Sequence, residues 1–537
     1  ALEHDDIEIV PAIKTEYSTQ NQVHSAGFYV ADCSLKNEAN HLKKLLIEMG
    51  VSGKSTPIYL RLDSTLRSSY KLETIAERVT IVGQDEQTVF YGIQTFRQLI
   101  GRHTGGCSFP IVKIEDTPDF EHRAFYIDIA RHFQPLTQIK KTVEAMSTYK
   151  MNRLQLGISN DEGWRLAIQS IPELTEVGAR RSYSRYTTEG VLRALYPAWG
   201  DDHHDYEGFL SREDFVSLLK HAKKHHVEVI LEFNLPGHAN AFIQSVSQND
   251  QWRLVDPEDT SQYRSAQGYT NNVINVGMED NYRIAKIILE EIKSLYEEAH
   301  LPLTRIHLGG DEVPFGAWLH SPACRRLTVW NPKWDVDVPK HAKEATQQLM
   351  AYHHKKITGI VDQVSPGTQT GFWHDMSAAG KGNDHNDYYN VWLTSDAKTE
   401  TINPILDREQ SLIISNASLL YLDMPYTKQF DEPGLPWAGY VDTKSIYHFN
   451  PCDSWGLKAS QSRLVLGIQA QLWSETVFSA ELMDYYTFPR LLAVAERAWN
   501  STAKSDRWAL FRRALTTREL PHLDTLGVKY RKKQLEE

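Results

Sequence analysis

From about residue 117 the chain alternates short apolar runs with amphipathic helices, and this alternation constrains the fold more than any other feature. The expected strands are Ala124–Ile129, Arg153–Ile158, Val227–Phe233, Arg305–Leu308, Gln369–Trp373, Tyr389–Leu393, Ser411–Ile414 and Leu464–Leu472. Helical spacing falls between several of them, over Leu136–Tyr149, Arg212–His225, Asn281–Ala299 and Lys340–Ile360. Short apolar strands alternating with helices argue for a parallel sheet covered on both faces. Eight such strands over the remainder of the chain fit a closed (β/α)8 TIM barrel with long loops. A doubly wound open sheet is the alternative, but no Gly-rich dinucleotide or phosphate fingerprint follows a strand. Ahead of the barrel, helical spacing in Glu38–Met49 and Glu86–Ile100 surrounds strand patterns at Ile58–Leu62 and within Tyr70–Val82. The expected fold class is therefore α/β. A small α+β N-terminal domain (1–116) precedes the barrel (117–537), with the boundary near Asp116-Thr117-Pro118.

A barrel of this kind carries its active site at the C-terminal ends of its strands. Polar and aromatic residues collect at all eight of those stations. Asp128, Arg131 and His132 close or follow the first; Asn160, Asp161 and Trp164 follow the second; Glu232, Asn234 and His238 close or follow the third. Asp311 and Glu312 follow the fourth, Trp373, His374 and Asp375 end the fifth, and Trp392 lies in the sixth. Tyr421 and Asp423 follow the seventh, and Trp473 and Glu475 close the eighth.

The stretch Ile306-His-Leu-Gly-Gly-Asp-Glu-Val313 is the densest of these stations. Its glycines let backbone or ligand approach closely. Asp311 and Glu312 stand side by side, and neighbours on a strand point to opposite faces. The pair is therefore expected to touch two different parts of one substrate rather than to face each other.

Composition narrows the partners. The formal net charge of −11 disfavours a nucleic-acid partner. No run approaches the ~20 apolar residues of a membrane span, so no membrane partner is expected. Thirteen Trp and 25 Tyr suit a carbohydrate-handling protein as well as an ordinary core. The four Cys are scattered without a zinc spacing or a dense disulfide framework. His203-His204 among Asp201, Asp202 and Asp205 reads as a solvated loop, within an aromatic-rich insertion (Tyr183–Tyr206) that could shape the barrel mouth. No cofactor and no metal are expected. The opening Ala-Leu-Glu-His-Asp-Asp does not read as a signal peptide, and both location and the choice between monomer and homodimer stay open.

Six motifs occur in order: His122–His132 (HRAFYIDIARH), Asn160–Arg165 (NDEGWR), Pro236-Gly237-His238, His307–Glu312 (HLGGDE), Tyr421-Leu422-Asp423 and Gln469–Glu475 (QAQLWSE). Together they resemble glycoside hydrolase family 20, the β-N-acetylhexosaminidases, particularly bacterial chitooligosaccharide-degrading members. The resemblance implies an N-acetylhexosaminide as carbohydrate substrate and a nucleophile supplied by the substrate's own acetamide. It makes Glu312 the general acid and base, for which a raised pKa is expected. Asp311 would hold the acetamide N–H, and Tyr421 would donate to its oxygen. Arg131, Asp423 and Glu475 would bind sugar hydroxyls; Trp373, Trp392 and Trp473 would wall the acetamide, and Trp437 would meet the leaving sugar.

Four positions depart from the family pattern. Asn160 and Asn234 stand where Asp is usual, and Gln155 and Gly157 stand where histidines are usual. His238 is therefore expected to lack both supporting carboxylates and to be mostly neutral at pH 7, with Asn160 counted among the substrate-binding residues. The departures also admit a relative with altered aminosugar specificity (a sulfated or lacto-N-biose-type substrate), or a catalytically weak sugar binder.

Overall fold

A computed structural model describes residues 9–182, 192–193, 207–379, 387–502 and 507–533. Its larger part is a closed barrel of eight parallel strands: β1 (His122–Asp128), β2 (Arg153–Gly157), β3 (Glu228–Glu232), β4 (Arg305–His307), β5 (Gln369–Trp373), β6 (Asp387–Val391), β7 (Ser411–Ile414) and β8 (Val465–Leu472). β8 pairs with β1 to close the ring. Every residue of β1, β2 and β6 is buried, the polar His122, Arg123, Gln155 and Asn390 among them. The helices pack outside, among them α1 (Leu136–Thr148), α2 (Arg212–Lys224), α3 (Asp280–Glu298) and α4 (Pro339–Val364). The N-terminus of α2 is fastened by a capping box between Ser211 and Asp214.

The barrel interior is polar as well as aromatic. Gln469 donates to Gln155 at 3.1 Å, and Gln471 donates to Ser415 at 2.8 Å. Gly371 leaves the room that Tyr388 and His307 fill; a Cβ there would lie 2.4 Å from the Tyr388 ring. Residues 155 and 157 are thus barrel-lining positions, with Gln155 hydrogen-bonded to Glu232.

The barrel matches the sequence expectation in kind and differs at its edges. β6 runs Asp387–Val391, two residues earlier than expected, because it pairs with Thr370–Trp373 of β5 from Asp387 onward. Trp392 consequently follows the strand instead of lying in it. β4 ends at His307, so Asp311 and Glu312 belong to a loop. The Tyr183–Tyr206 insertion, with its His203-His204 pair, lies outside the described residues apart from the short strand Leu192–Arg193.

The N-terminal domain is a seven-stranded mixed sheet with helices Lys36–Glu48 and Glu86–Leu99. Its core also takes in Trp499 from the last barrel helix (Arg490–Trp499). The seam between the two parts is charged and buried. Arg97 meets Glu519 at 2.7 Å with both side chains buried, and Tyr149 adds a hydroxyl at 3.1 Å. Lys150 lies under the Trp499 ring at 4.3 Å and 3.7 Å from Asp116. Among the described residues no helix is long and apolar enough to cross a membrane.

Burial alone would raise the Glu519 pKa, but Arg97 and Arg518 outweigh it and hold the carboxyl down at about 2. A depressed folded-state pKa contributes stability above the ordinary value of 4.5, lost as pH falls toward 2. Glu519→Gln should cost about 3–5 kcal/mol at neutral pH by leaving Arg97 buried without its anion. Urea unfolding across a pH series should show that deficit shrinking in the acid window.

Candidate active site

The β4–helix loop is shaped by backbone that only certain residues tolerate. Gly309 sits at φ +69°, and a Cβ there would come within 1.9 Å of Asn234 Oδ1. Gly310 sits at φ +92°, with Met376 2.7 Å from where a Cβ would stand. Glu312 and His238 themselves adopt positive φ, +50° and +48°. Non-glycine residues in this region cost roughly 1–3 kcal/mol and persist where surrounding contacts impose them. The contacts are explicit. Asn234 accepts from the Gly310 N–H at 3.0 Å and donates to Asp311 Oδ1 at 2.6 Å.

Asp311 and Glu312 do not point to opposite faces of a strand. Both converge on His238, whose Nε2 lies 3.6 Å from Asp311 Oδ2 and 3.3 Å from Glu312 Oε2. The other ring nitrogen, Nδ1, meets Asp161 Oδ2 at 2.9 Å. Asp161 is in turn held by the Asn240 N–H at 3.1 Å and by the Asn272 amide at 3.1 Å. The expectation that His238 lacks a carboxylate is therefore corrected. The hairpin Ser159–Asn160/Gly163–Trp164 turns Asp161, not residue 160, toward the imidazole. Asn160 spends its side-chain oxygen on the Asp161 N–H at 2.8 Å, is buried, and does not line the cavity. Asn234 replaces a charge with a donor aimed at Asp311.

Electrostatics follow from this geometry. Burial works against a charge on His238, but Asp311, Asp161 and Glu312 outweigh it and hold the imidazolium well above its ordinary range. It is cationic rather than neutral at pH 7. Burial pushes Asp311 up to about 7, with Glu312, Asp375 and Glu232 adding to the rise and His238 opposing it. Glu312 also feels burial, yet its hydrogen bond to His238 and the charges of His238 and Arg131 bring it below its ordinary value. The raised carboxyl of the free protein is thus Asp311, not the expected Glu312.

The cavity above these groups encloses about 670 Å³, within the range of small-molecule sites. Arg131, Asp423 and Glu475 line one part, and Trp392, Trp437, Trp473 and Tyr421 line another. Arg131 is fixed by Asp128 at 2.8 Å and reaches Glu475 at 3.5 Å, with its guanidinium 5.3 Å from the Trp473 ring centre. Burial and the neighbouring Glu475 raise the Asp423 pKa well above the ordinary value. Trp392 donates its indole N–H to Asp375 at 2.8 Å and meets Trp437 edge-on. Trp437 is 55% exposed, the open side of the cavity. Trp373 is fully buried and absent from the wall; it stands behind Trp473 at 5.4 Å and donates to Glu232 at 3.2 Å.

Two further residues were not singled out as functional from the sequence. Asp161 lay in the quoted motif, but its neighbour drew the assignment. Gln267 comes from the long segment between β3 and α3 and carries no motif. It lines the cavity and donates to Glu475 at 3.2 Å, while its Oε1 is buried without a hydrogen-bond partner among the described residues.

Fold and mouth together define a (β/α)8-barrel protein with a carboxylate- and tryptophan-lined pocket at its strand C-termini. The chain belongs to glycosyl hydrolase family 20: the catalytic-domain model matches residues 120–502 and the domain 2 model residues 8–117. A β-hexosaminidase of Vibrio vulnificus is 29% identical over 548 residues, covering 89% of this chain and 63% of that protein. The N,N'-diacetylchitobiase of Vibrio harveyi is 30% identical, covering 80% of this chain and 55% of that protein. The chain thus spans about three fifths of the length of these curated relatives. The crystal structure of a family 20 exo-β-N-acetylglucosaminidase from Vibrio harveyi, in complex with N-acetylglucosamine, superposes with a TM-score of 0.81. It is 27% identical, and the match covers 98% of this chain and 78% of that one.

The Asp161–His238 contact should be visible without any substrate. In an NMR titration of His238, Asp161→Asn should bring deprotonation down toward neutral pH, whereas Asn160→Asp should leave it in place. An Asp161→Asn titration matching the wild type would show that Asp311 and Glu312 alone hold the charge.

Proposed function

We propose that this protein is a retaining exo-β-N-acetylhexosaminidase releasing non-reducing terminal GlcNAc or GalNAc by substrate-assisted catalysis. Residues 117–537 would form the catalytic barrel and residues 1–116 the accessory domain. The observation that carries the reading is the convergence of Asp311 and Glu312 on one buried histidine, 3.6 and 3.3 Å away, at the floor of an indole-walled pocket. Adjacent carboxyls sharing one support do not form the facing acid–nucleophile pair of a two-carboxylate glycosidase. A substrate acetamide fills the missing role.

In this mechanism Glu312 protonates the glycosidic oxygen as the bond from C1 to that oxygen breaks, and the acetamide oxygen bonds to C1. Asp311 accepts the acetamide N–H and balances the positive oxazolinium, while the Tyr421 hydroxyl donates to the acetamide oxygen. Water then attacks C1, its proton passes to Glu312, and the acetamide is released with the configuration retained. Glu312 needs a proton to begin, and the His238 Nε2–H, 3.3 Å from its Oε2, is positioned to supply it. Arg131, Asp423 and Glu475 offer donors and acceptors to the sugar hydroxyls, and Trp392, Trp473 and Trp437 offer apolar faces.

p-Nitrophenol release from the β-GlcNAc glycoside, with inhibition by a thiazoline mimic of the oxazoline, tests the proposal. Covalent trapping of the sugar on a carboxylate would overturn the substrate-assisted route, and no turnover of GlcNAc, GalNAc or 6-sulfated GlcNAc glycosides would overturn the activity. Glu312→Gln should lower kcat about 10²–10⁴-fold on a poor leaving group, with a smaller loss on p-nitrophenyl. Gln267→Ala should cost about tenfold in kcat/KM, roughly one hydrogen bond, and alter the GlcNAc to GalNAc ratio.

A further inference from the structure

Away from the barrel mouth, three metal-type ligands meet on the outer surface of two packed helices. His221 lies in α2 and His225 caps its C-terminus, one turn apart on the same face, with ring centres 4.7 Å apart. Glu144 of α1 faces both. The Nε2 atoms of His221 and His225 each stand 3.7 Å from the same oxygen, Glu144 Oε1, and the three ligand atoms lie within 4.8 Å of one another. A distance of 3.7 Å is too long for a hydrogen bond. It is close to the span between two ligands of one tetrahedral ion: bonds of about 2.1 Å place their ends about 3.4 Å apart.

We propose that Glu144, His221 and His225 form a binding site for a divalent transition ion, with zinc the best match to two imidazoles and a carboxylate. The surroundings favour it. His225 Nδ1 lies 3.4 Å from the Ser147 hydroxyl, the outer hydrogen bond that fixes a ligand tautomer and leaves Nε2 free for metal. His221 Nε2 also lies 3.3 Å from the Lys140 carbonyl, a contact that metal would replace. Glu144 and His225 border a crevice of about 230 Å³, which leaves a fourth position for water. His41 of the N-terminal domain lines the same crevice, so the ion would sit where the two domains meet. Lys44 and Lys224 also line it; their long side chains can turn their charges to solvent.

Titration of the tag-free full chain with Co²⁺, read by its visible absorption and by Zn²⁺ displacement, tests the site. One equivalent should bind. Binding should be lost in His225→Ala and Glu144→Gln, weakened about tenfold in Ser147→Ala, and kept in the His203→Ala/His204→Ala double variant. Metal-free circular dichroism and thermal midpoints like those of the wild type establish that each variant folds. No bound equivalent, binding indifferent to Glu144 and His225, or binding lost with His203 and His204 would each overturn the proposal.

Discussion

The mouth of the barrel depends on one buried cation. His238 is 2% exposed, and removing an imidazolium from water costs several kcal/mol. A single carboxylate about 4 Å away returns about 4 kcal/mol at the effective dielectric of a protein site, which does little more than break even. Three carboxylates surround His238, and the balance turns clearly toward the charged form. The same charge brings Glu312 below its ordinary value and opposes the rise that burial imposes on Asp311. Asp161 is fixed on one ring nitrogen, and Asp311 and Glu312 compete for the other.

Holding three carboxyl groups around one imidazole requires pieces from three strand ends. Asp161 arrives after β2, His238 after β3, and Asp311 with Glu312 after β4. Each is secured by backbone and amide groups rather than by further charge. Asn240 and Asn272 hold Asp161, and Asn234 holds both Gly310 and Asp311. Amides suit this task because they fix a carboxylate without adding a competing cation. The barrel behind these loops is closed and buried, and its outer face is tied to the N-terminal domain by Arg97, Glu519 and Lys150. The strained turns at His238 and Glu312 rest on that rigid base.

The barrel was legible because its strands are buried on both faces and its helices are amphipathic, so the change of period marked each unit. The strand ends were less legible. Asp387-Tyr-Tyr-Asn-Val-Trp-Leu393 contains no breaker, and only pairing with β5 decides that the strand begins at Asp387 and leaves Trp392 outside. Most of the residues expected at the site gather at the mouth, Asn160 and Trp373 excepted, and their mutual contacts carry no signal in the sequence. Which of Asn160 and Asp161 faces His238 depends on a two-residue hairpin pairing with Gly163–Trp164. Trp373 ends a strand like the other mouth residues, yet its indole turns inward to Glu232. Gln267 lies in a long loop segment whose approach to Glu475 has no local sequence signal.

The carboxyl pair also shows why the proton could not be assigned from adjacency. Two neighbouring acids in one pocket are pushed apart in pKa, and sequence does not say which is raised. In the free protein it is Asp311, raised by burial to about 7, while His238 holds Glu312 low. The proposed chemistry needs the reverse order: an ionised Asp311 against a developing cation and a protonated Glu312 against the leaving oxygen. An acetamide N–H donated to Asp311 stabilises its anion, and a sugar that displaces water from the partly exposed Glu312 destabilises its charge. In the proposed reaction substrate binding would thus drive both groups in the required direction, and His238, 3.6 and 3.3 Å from them, is placed to pass the proton between them. On this view the departure at Asn234 is not a weakness. Its amide already favours the Asp311 anion before the acetamide arrives, so the cost of reversing the order is shared between protein and substrate.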